Sequence, residues 1–311
     1  MITERKTIGE IADLWKEDKK QYVKLSTLSA YLLILQNHLL PYFGTKNELN
    51  ESDVQAFAMR KLAEGLSQKT VKDILVVLKM LNRFGAKSGW CDYVEWDVRF
   101  PSTCEKKPLD VLTIHDHRKV LDYVQNHFTF KNVGIYICLT GGLRIGEVCA
   151  LQWKDIDIEK GVMHISKTIE RIYLTDGRED VPHTRLVIGN PKTVNSMREI
   201  PMTTELYKML KPFCRVMNPD YFVLTNDAEP TEPRTYRNYY KRLMNRLGVP
   251  PVKFHGLRHS FATRCIESNC DYKTVSVILG HSNISTTLNL YVHPNAEQKK
   301  RCIDKMFRAI R

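Results

Sequence analysis

Residues 254–293 read FHGLRHSFATRCIESNCDYKTVSVILGHSNISTTLNLYVH. His255 and Arg258 are three apart, a spacing that puts both on one helix face. The apolar run Val275-Ser276-Val277-Ile278-Leu279 stops at Gly280-His281. Gly280 suits a helix C-terminus, and Ser282 or Asn283 suits the cap of the next helix. His281 then falls on a loop between two helices, and Tyr291 near the end of the second. The set offers an arginine fork for an anion, two imidazoles and a phenol nucleophile, which suits phosphoryl transfer through a covalent tyrosine. Each residue alone has a plainer reading. HGLRH is also a helix start with surface charges. His255 and His259, four apart, also read as a metal pair, but no HExxH pattern or nearby carboxylate accompanies them. His281 alone is a helix-end residue, and a lone tyrosine on an amphipathic helix is usually core or rim. The joint spacing carries the functional reading.

Working upstream, KNVGIYICLTGGLRIGEVCA (131–150) is an apolar helix broken at Gly141-Gly142, with a second helix starting near Leu143. Arg144 and Glu147 are again three apart. An arginine just past a Gly-Gly break at a helix start is placed for an anion. A buried Arg–Glu pair is the plainer reading, and the two agree if Glu147 holds the Arg144 fork. Between 161 and 203 the period changes. Val162-Met163-His164-Ile165 and Arg185-Leu186-Val187-Ile188 read as strands, Gly189-Asn190-Pro191-Lys192-Thr193 as a turn and Arg198-Glu199-Ile200-Pro201 as a closing strand. This predicts one small antiparallel sheet with Lys192 at a hairpin tip. A tip lysine is normally solvated; here it is a candidate proton donor to a groove. The long 174–184 loop has no evident use.

Residues 203–217 read as helical, 219–224 as a short strand-like piece, and RTYRNYYKRLMNRL (234–247) as a basic, aromatic helix. Arg234, Arg237 and Lys241, with Arg242 and Arg246, suit phosphates, while Tyr236, Tyr239 and Tyr240 pack or stack; a plain amphipathic helix fits equally well. Residues 295–310 form a last amphipathic helix with Ile303, Met306, Phe307 and Ile310 on its apolar face, packed in its own subunit or docked on a neighbour. Thr113 caps a helix over 114–127, with His115 and His117 read as surface histidines in its first turn.

The N-terminal part is helical throughout. Helices are expected over 7–22, over 26–40 (capped by Ser26 or Thr27 and stopped before Pro41), over 51–64 (opened by Ser52 or Asp53) and over 67–88. Lys69, Lys72 and Lys79 on the last are candidate phosphate contacts, each singly no more than a solvated residue. FPSTCEKKPLD (100–110) carries two prolines and no periodicity, so it reads as an extended linker. The expected organisation is a helical domain over 1–100, a linker over 101–110 and a larger domain over 111–311, able to close around a rod-like ligand. The fold class is mainly α with a small antiparallel β-sheet.

A chain of 311 residues is one large or two ordinary domains. Its 43% hydrophobic and 26% charged content fits a soluble globular protein. No apolar run of 18 residues and no signal-peptide core is present, so an intracellular, cytoplasmic protein with no membrane partner is expected. The net charge is +12: residues 1–107 carry 17 Lys and Arg against 14 Asp and Glu, about +3, and the rest holds +9. A basic balance concentrated with the reactive residues fits a polyanion. Eight cysteines, none in CxxC, read as reduced thiols rather than a disulfide frame or zinc site.

TGGLRIGEVCALQWKDID, NPKTVNSMREIPM, HGLRHSFAT and LGHSNISTTLNLYVH together resemble the tyrosine recombinases, the phage-integrase family that includes Xer-type resolvases and the integrases of conjugative transposons. The resemblance covers most of residues 108–300, and the first domain resembles the family's SAM-like core-binding domain. It implies that Arg144 and Arg258 clamp the non-bridging oxygens of the scissile phosphate and that Glu147 supports Arg144. Tyr291 would attack phosphorus to give a 3′-phosphotyrosine, with Lys192 protonating the 5′-oxygen, His255 acting as or assisting the base, and His281 hydrogen-bonding the phosphate. No metal or cofactor is implied, because guanidinium and imidazole donors meet the transition-state charge, each worth ~3 kcal/mol. The implied partners are double-stranded DNA at a core site, three further copies in a homo-tetramer on two duplexes, and a directionality factor. The implied place is the bacterial cytoplasm, on the nucleoid when bound. The chain starts almost at once with the core-binding helices, so an arm-binding domain is not expected. Two rivals remain: a type IB topoisomerase-like enzyme, which shares the chemistry, and a DNA-binding regulator without catalysis, which has no use for Tyr291.

Overall fold

Thr7 opens the first helix because its side chain and Glu10 satisfy each other's backbone: Thr7 Oγ1 accepts from Glu10 N at 3.2 Å, and the Glu10 carboxylate accepts from Thr7 N at 2.7 Å. The computed structural model describes residues 4–102, 110–173, 184–190, 194–291 and 296–310. Most of the expected linker, nearly all of the 174–184 loop, and Lys192 therefore lie outside the described residues. The described chain falls into two compact units, 4–102 with 171–173 and 184–186, and the remainder. Residues 171–173 and 184–186 group with the first unit, which the sequence did not announce.

The first unit contains α1 (Ile8–Lys20), α2 (Leu25–Ile34), α3 (Leu40–Phe43), α4 (Glu51–Ala63) and α5 (Gln68–Lys87). Between α2 and α3 the chain makes a wide π turn over Leu35–Leu39. This corrects two expectations. The cap position of α2 is Lys24, without a side-chain bond, rather than Ser26 or Thr27. The helical path also continues past Pro41, because the π turn lets Pro41 fall in the first turn of α3, where a missing N–H costs little. Asn50, not Ser52 or Asp53, caps α4, accepting from Asp53 N at 2.7 Å. Ser67 caps α5. Trp15, Phe43, Phe57, Leu78 and Leu81 are among the residues of the unit's core. Lys69 and Lys72 are exposed and Lys79 half-buried; Lys72 Nζ lies 4.9 Å above the Phe100 ring. From segment 171–173, Tyr173 N donates to Ser29 Oγ at 2.7 Å.

The second unit begins with α6 (Ile114–Asn126), α7 (Phe130–Gly141) and α8 (Ile145–Ala150). Thr113 caps α6 through Asp116 N, as expected. His117, however, is buried rather than on the surface, while His115 is exposed. Strands β1 (Ile156–Asp157), β2 (Val162–Ile165), β3 (Thr168–Tyr173), β4 (Thr184–Gly189) and β5 (Arg198–Pro201) follow in the chain, with residues 171–173 of β3 and 184–186 of β4 grouped in the first unit. They form two sheets rather than one: β1-β2-β5, antiparallel, and a separate β3-β4 pair. The strand over 185–188 therefore pairs with the unforeseen β3, and β5 crosses to β2, setting Met163 opposite Ile200 and Ile165 opposite Arg198. The piece over 219–224 makes only isolated bridges, Phe222 with Gln152 and with Asp227.

Six more helices complete the described chain: α9 (Thr204–Cys214), α10 (Pro233–Arg246), α11 (Phe254–Glu267), α12 (Tyr272–Leu279), α13 (Ile284–Tyr291) and α14 (Ala296–Ala309). The aromatic face of α10 packs rather than binds: Tyr236 and Tyr240 are buried against Phe254, and Tyr239 Oη donates to Asn132 Oδ1 at 2.6 Å. Its basic face, with Arg234, Arg237 and Lys241, is exposed. Ile303 and Met306 of α14, and Ile310 just past its end, are exposed as well.

Candidate active site

Two left-handed glycines aim the site's loops. Gly142 ends α7 at φ 66°, and a Cβ there would meet Phe261 and Leu279 side-chain atoms at 2.6 and 2.8 Å. Gly280 ends α12 at φ 64°, with Asn195 O 2.9 Å from where a Cβ would stand. The first turn delivers Arg144 to the cap position of α8; the second delivers His281 to the loop before α13. Asn283 caps α13, accepting from Ser285 N at 2.8 Å. The start of α11 is fixed by Asp110, whose carboxylate accepts from Lys253 N at 2.6 Å, and by Ser260 Oγ, which accepts from Leu112 N at 2.7 Å. That helix carries His255, Arg258 and His259.

Arg258 is 1% exposed. Its two terminal nitrogens donate to Gly142 O at 2.9 Å and Leu279 O at 2.6 Å, the carbonyls at the ends of α7 and α12. Arg144 donates its backbone N–H and Nη1 to opposite oxygens of Glu147 at 2.9 and 2.7 Å, and Nη2 lies 3.4 Å from Gly280 O. Glu147, 2% exposed, also accepts from Arg198 Nη1 at 3.2 Å and Nη2 at 2.9 Å. Burial pushes this carboxyl up, but Arg198 and Arg144 outweigh it and hold it below the usual carboxylate range. Arg198 further donates to Ile278 O at 2.5 Å and Ser196 O at 3.0 Å, tying β5 to α12. Three guanidiniums thus act on one another around a single carboxylate. Burial and Arg144 push Arg258 down to about 9, which still leaves it charged at neutral pH. The cluster carries surplus positive charge, and an anion of one or two charges complements it.

The histidines respond to that charge. Burial first, then His259, Arg258 and Arg144, push His255 down to about 4. Burial, Arg258, Arg144 and Arg198 do the same to His281. His281 Nδ1 meets Thr287 Oγ1 at 2.8 Å; when that hydroxyl donates, the neutral ring carries its proton on Nε2, a donor for a phosphate oxygen. Tyr291, 7% exposed, comes from α13 of the same chain. Its hydroxyl meets His259 Nδ1 at 2.6 Å, and the His255 and His259 rings lie edge to face with centroids 4.6 Å apart.

A pH effect on stability follows. His117, His255 and His281 each stand at about 4 in the folded chain, against an ordinary value of 6.5. The unfolded chain binds more protons between those values, so stability is full above about pH 6.5 and falls as pH drops toward 4. Thermal melts of the DNA-free protein are expected to show a falling melting temperature from pH 7 to pH 5, before carboxylate protonation contributes; a flat profile there contradicts these burials.

Of the residues expected to form the site, Arg144, Glu147, His255, Arg258, His281 and Tyr291 come together within the second unit, and Lys192 lies outside the described residues. Sequence reasoning passed over Arg198, Thr287 and Asp110, and gave His259 only a metal reading. Signals existed for two of these. His259 shares the helix face of His255 at i, i+4, and Arg198 shares the strand face of the buried Ile200 at i, i+2.

Residues 110–298 match the model of the phage integrase family, and residues 7–62 match a phage integrase N-terminal SAM-like domain. A XerC-like tyrosine recombinase of Caldanaerobacter subterraneus subsp. tengcongensis is 26% identical, with 96% of this chain and 82% of that protein covered. The ICEBs1 integrase of Bacillus subtilis is also 26% identical, with 88% and 75% covered. Among solved structures, the Tn1549 transposon integrase in complex with transposon right end DNA superposes with a TM-score of 0.75 at 22% identity, covering 97% of this chain and 99% of that one. This last likeness establishes the fold.

Proposed function

Because the chain belongs to the phage integrase family, we propose that it is a site-specific DNA recombinase that breaks and rejoins double-stranded DNA through a covalent link to Tyr291. One observation carries the chemistry: the Tyr291 hydroxyl is buried at the edge of a cluster where three guanidiniums face one carboxylate. A phosphodiester brings the missing negative charge. Arg144 and Arg258 donate to its non-bridging oxygens, with His281 Nε2 as a further donor. Tyr291 Oη attacks phosphorus, giving a 3′-phosphotyrosine and a 5′-hydroxyl, with Lys192 as the acid for the leaving oxygen. The bond energy is kept in the phosphotyrosine, so rejoining needs no cofactor.

In this reading residues 1–100 form the core-binding domain and 111–311 the catalytic domain. Lys69, Lys72 and Lys79 in the first, and Arg234, Arg237 and Lys241 in the second, contact DNA phosphates. The active assembly is a homo-tetramer on two duplexes. Its support is the C-terminal segment, where Ile303 and Met306 of α14 and the following Ile310 are exposed in the single chain, and an apolar cavity of about 650 Å³ between α10 and α11, lined by Tyr240, Met244, Val252 and Phe254 among others. The α14 of a second copy is the occupant proposed for it. Among the described residues no helix is long and apolar enough to cross a membrane. The proposed setting is the bacterial cytoplasm, on the nucleoid when bound to DNA, with a directionality factor as a further partner and integration, excision, inversion or resolution as the outcome.

The test uses nicked suicide duplexes drawn from DNA flanking the gene. An SDS-stable protein–DNA band is expected with the parent protein and not with Tyr291→Phe. Binding without a band, together with unimpaired cellular function of Tyr291→Phe, favours a non-catalytic regulator. Relaxation of any supercoiled DNA by a monomer, without site preference, favours a topoisomerase.

A further inference from the structure

The Tyr291 phenol must lose its proton as its oxygen bonds to phosphorus. Burial raises that phenol above its ordinary range, against the opposing pull of Arg258 and Arg144. It is therefore protonated at neutral pH and needs an acceptor. The group in place to accept is His259, whose Nδ1 lies 2.6 Å from Tyr291 Oη. The two rings are tilted by 52° with centroids 5.6 Å apart. His255 lies one helical turn earlier and meets His259 edge to face, which orients the His259 ring.

We infer that His259 Nδ1 is the base that takes the Tyr291 proton during DNA cleavage and returns it during rejoining. The inference rests on the recombinase reading above and names a residue for one of its steps. In cleavage the Oη–H bond breaks, the proton passes to Nδ1, the Oη–P bond forms and the P–O5′ bond breaks. The 5′-oxygen takes a separate proton from the acid, Lys192 in the reading above. In rejoining the 5′-hydroxyl attacks phosphorus and gives its proton back to that acid, the Oη–P bond breaks, and the phenoxide recovers its proton from the His259 imidazolium.

The surroundings suit an acceptor. Burial, then Arg258, keep the His259 ring in its neutral form, while Asp110 acts in the opposite sense and steadies the imidazolium once formed. Among the described residues, these groups with His255 and Tyr291 itself are the titratable and charged ones that act on or meet the ring. His259 also follows directly on Arg258 in one helix, so the clamp and the base move as one body.

The experiment compares the parent, His259→Phe and His259→Asn in single-turnover cleavage, with melting and DNA binding as folding controls. Each protein meets two suicide duplexes, an ordinary one and one with a 5′-bridging phosphorothiolate, whose thiolate leaves without an acid. His259→Phe is expected to slow cleavage about 10²-fold or more on both duplexes at pH 7, whereas Lys192→Ala recovers on the phosphorothiolate. His259→Asn places a neutral acceptor close to where Nδ1 stood and holds the tyrosine without being a base. Its rate is expected to keep climbing with pH where the parent's has levelled, an effect that a purely structural role does not produce. Should His259→Phe fail to fold, the pH profile of His259→Asn decides. Cleavage by a folded His259→Phe within a few-fold of the parent, or full recovery on the phosphorothiolate, or matching pH profiles for His259→Asn and the parent, overturns the inference alone. No covalent product from the parent on either duplex overturns it together with the recombinase reading.

Discussion

Arg144→Ala is expected to slow DNA cleavage by about 10³-fold, with melting temperature at or above the parent's and most DNA affinity kept. A single preorganised donor aimed at a developing oxyanion is worth about 10²–10³-fold, and a guanidinium fork offers more than one. The stability side follows from the surroundings. Arg144 is a third exposed, and its removal leaves Glu147 still held by two bonds from Arg198. It also removes a like charge that acts on the buried Arg258. Like charges this close disfavour one another in the folded chain, so losing one guanidinium of the three relieves it. Affinity survives because the other phosphate contacts remain. Single-turnover cleavage, thermal melts and binding on one duplex check all three. Equal loss of affinity and cleavage would make Arg144 an ordinary binding contact, and a large fall in melting temperature would make it structural.

Glu147→Ala is expected to show the reverse pattern on stability, a loss of about 3–5 kcal/mol together with loss of cleavage. The carboxylate accepts four hydrogen bonds, two from Arg144 and two from Arg198. The Arg198 side chain is only 3% exposed, so removing Glu147 leaves a buried cation facing two others. Arg198→Met in the Glu147→Ala background should recover part of the loss, because an apolar pair tolerates the site better than an unpaired charge. Urea unfolding of the two single variants and the double measures the coupling. A loss below about 1 kcal/mol for Glu147→Ala, or strict additivity in the double variant, contradicts the shared-carboxylate account.

The contrast between these two residues shows what the sequence could and could not say. Arg144 and Glu147 at i, i+3 after a glycine pair are a local pattern, and the structure joins them as that pattern implies. Arg198 reaches Glu147 from 51 positions away. Its approach depends on β5 crossing to β2, which no local pattern specifies. β3 was missed because its buried residues, Ile169 and Ile172, are three apart and break the period of two. The helices were largely legible, since Thr113, Ser67 and Gly142 stand where caps and stops belong. The π turn before Pro41 was not, because Pro41 alone signals a stop. His259 was visible as a neighbour of His255, but its contact with Tyr291 depends on how α13 packs against α11.

The central claim is that Tyr291 becomes the covalent carrier of the DNA strand. The most direct measurement is to trap the complex on a suicide duplex in the presence of a chelator, digest it, and map the nucleotide adduct by mass spectrometry. The account predicts an adduct on the peptide containing Tyr291, joined through the 3′-phosphate, with a free 5′-hydroxyl on the other fragment. An adduct on any other residue, a 5′-phosphate linkage, or a complex that forms only with added metal would contradict it.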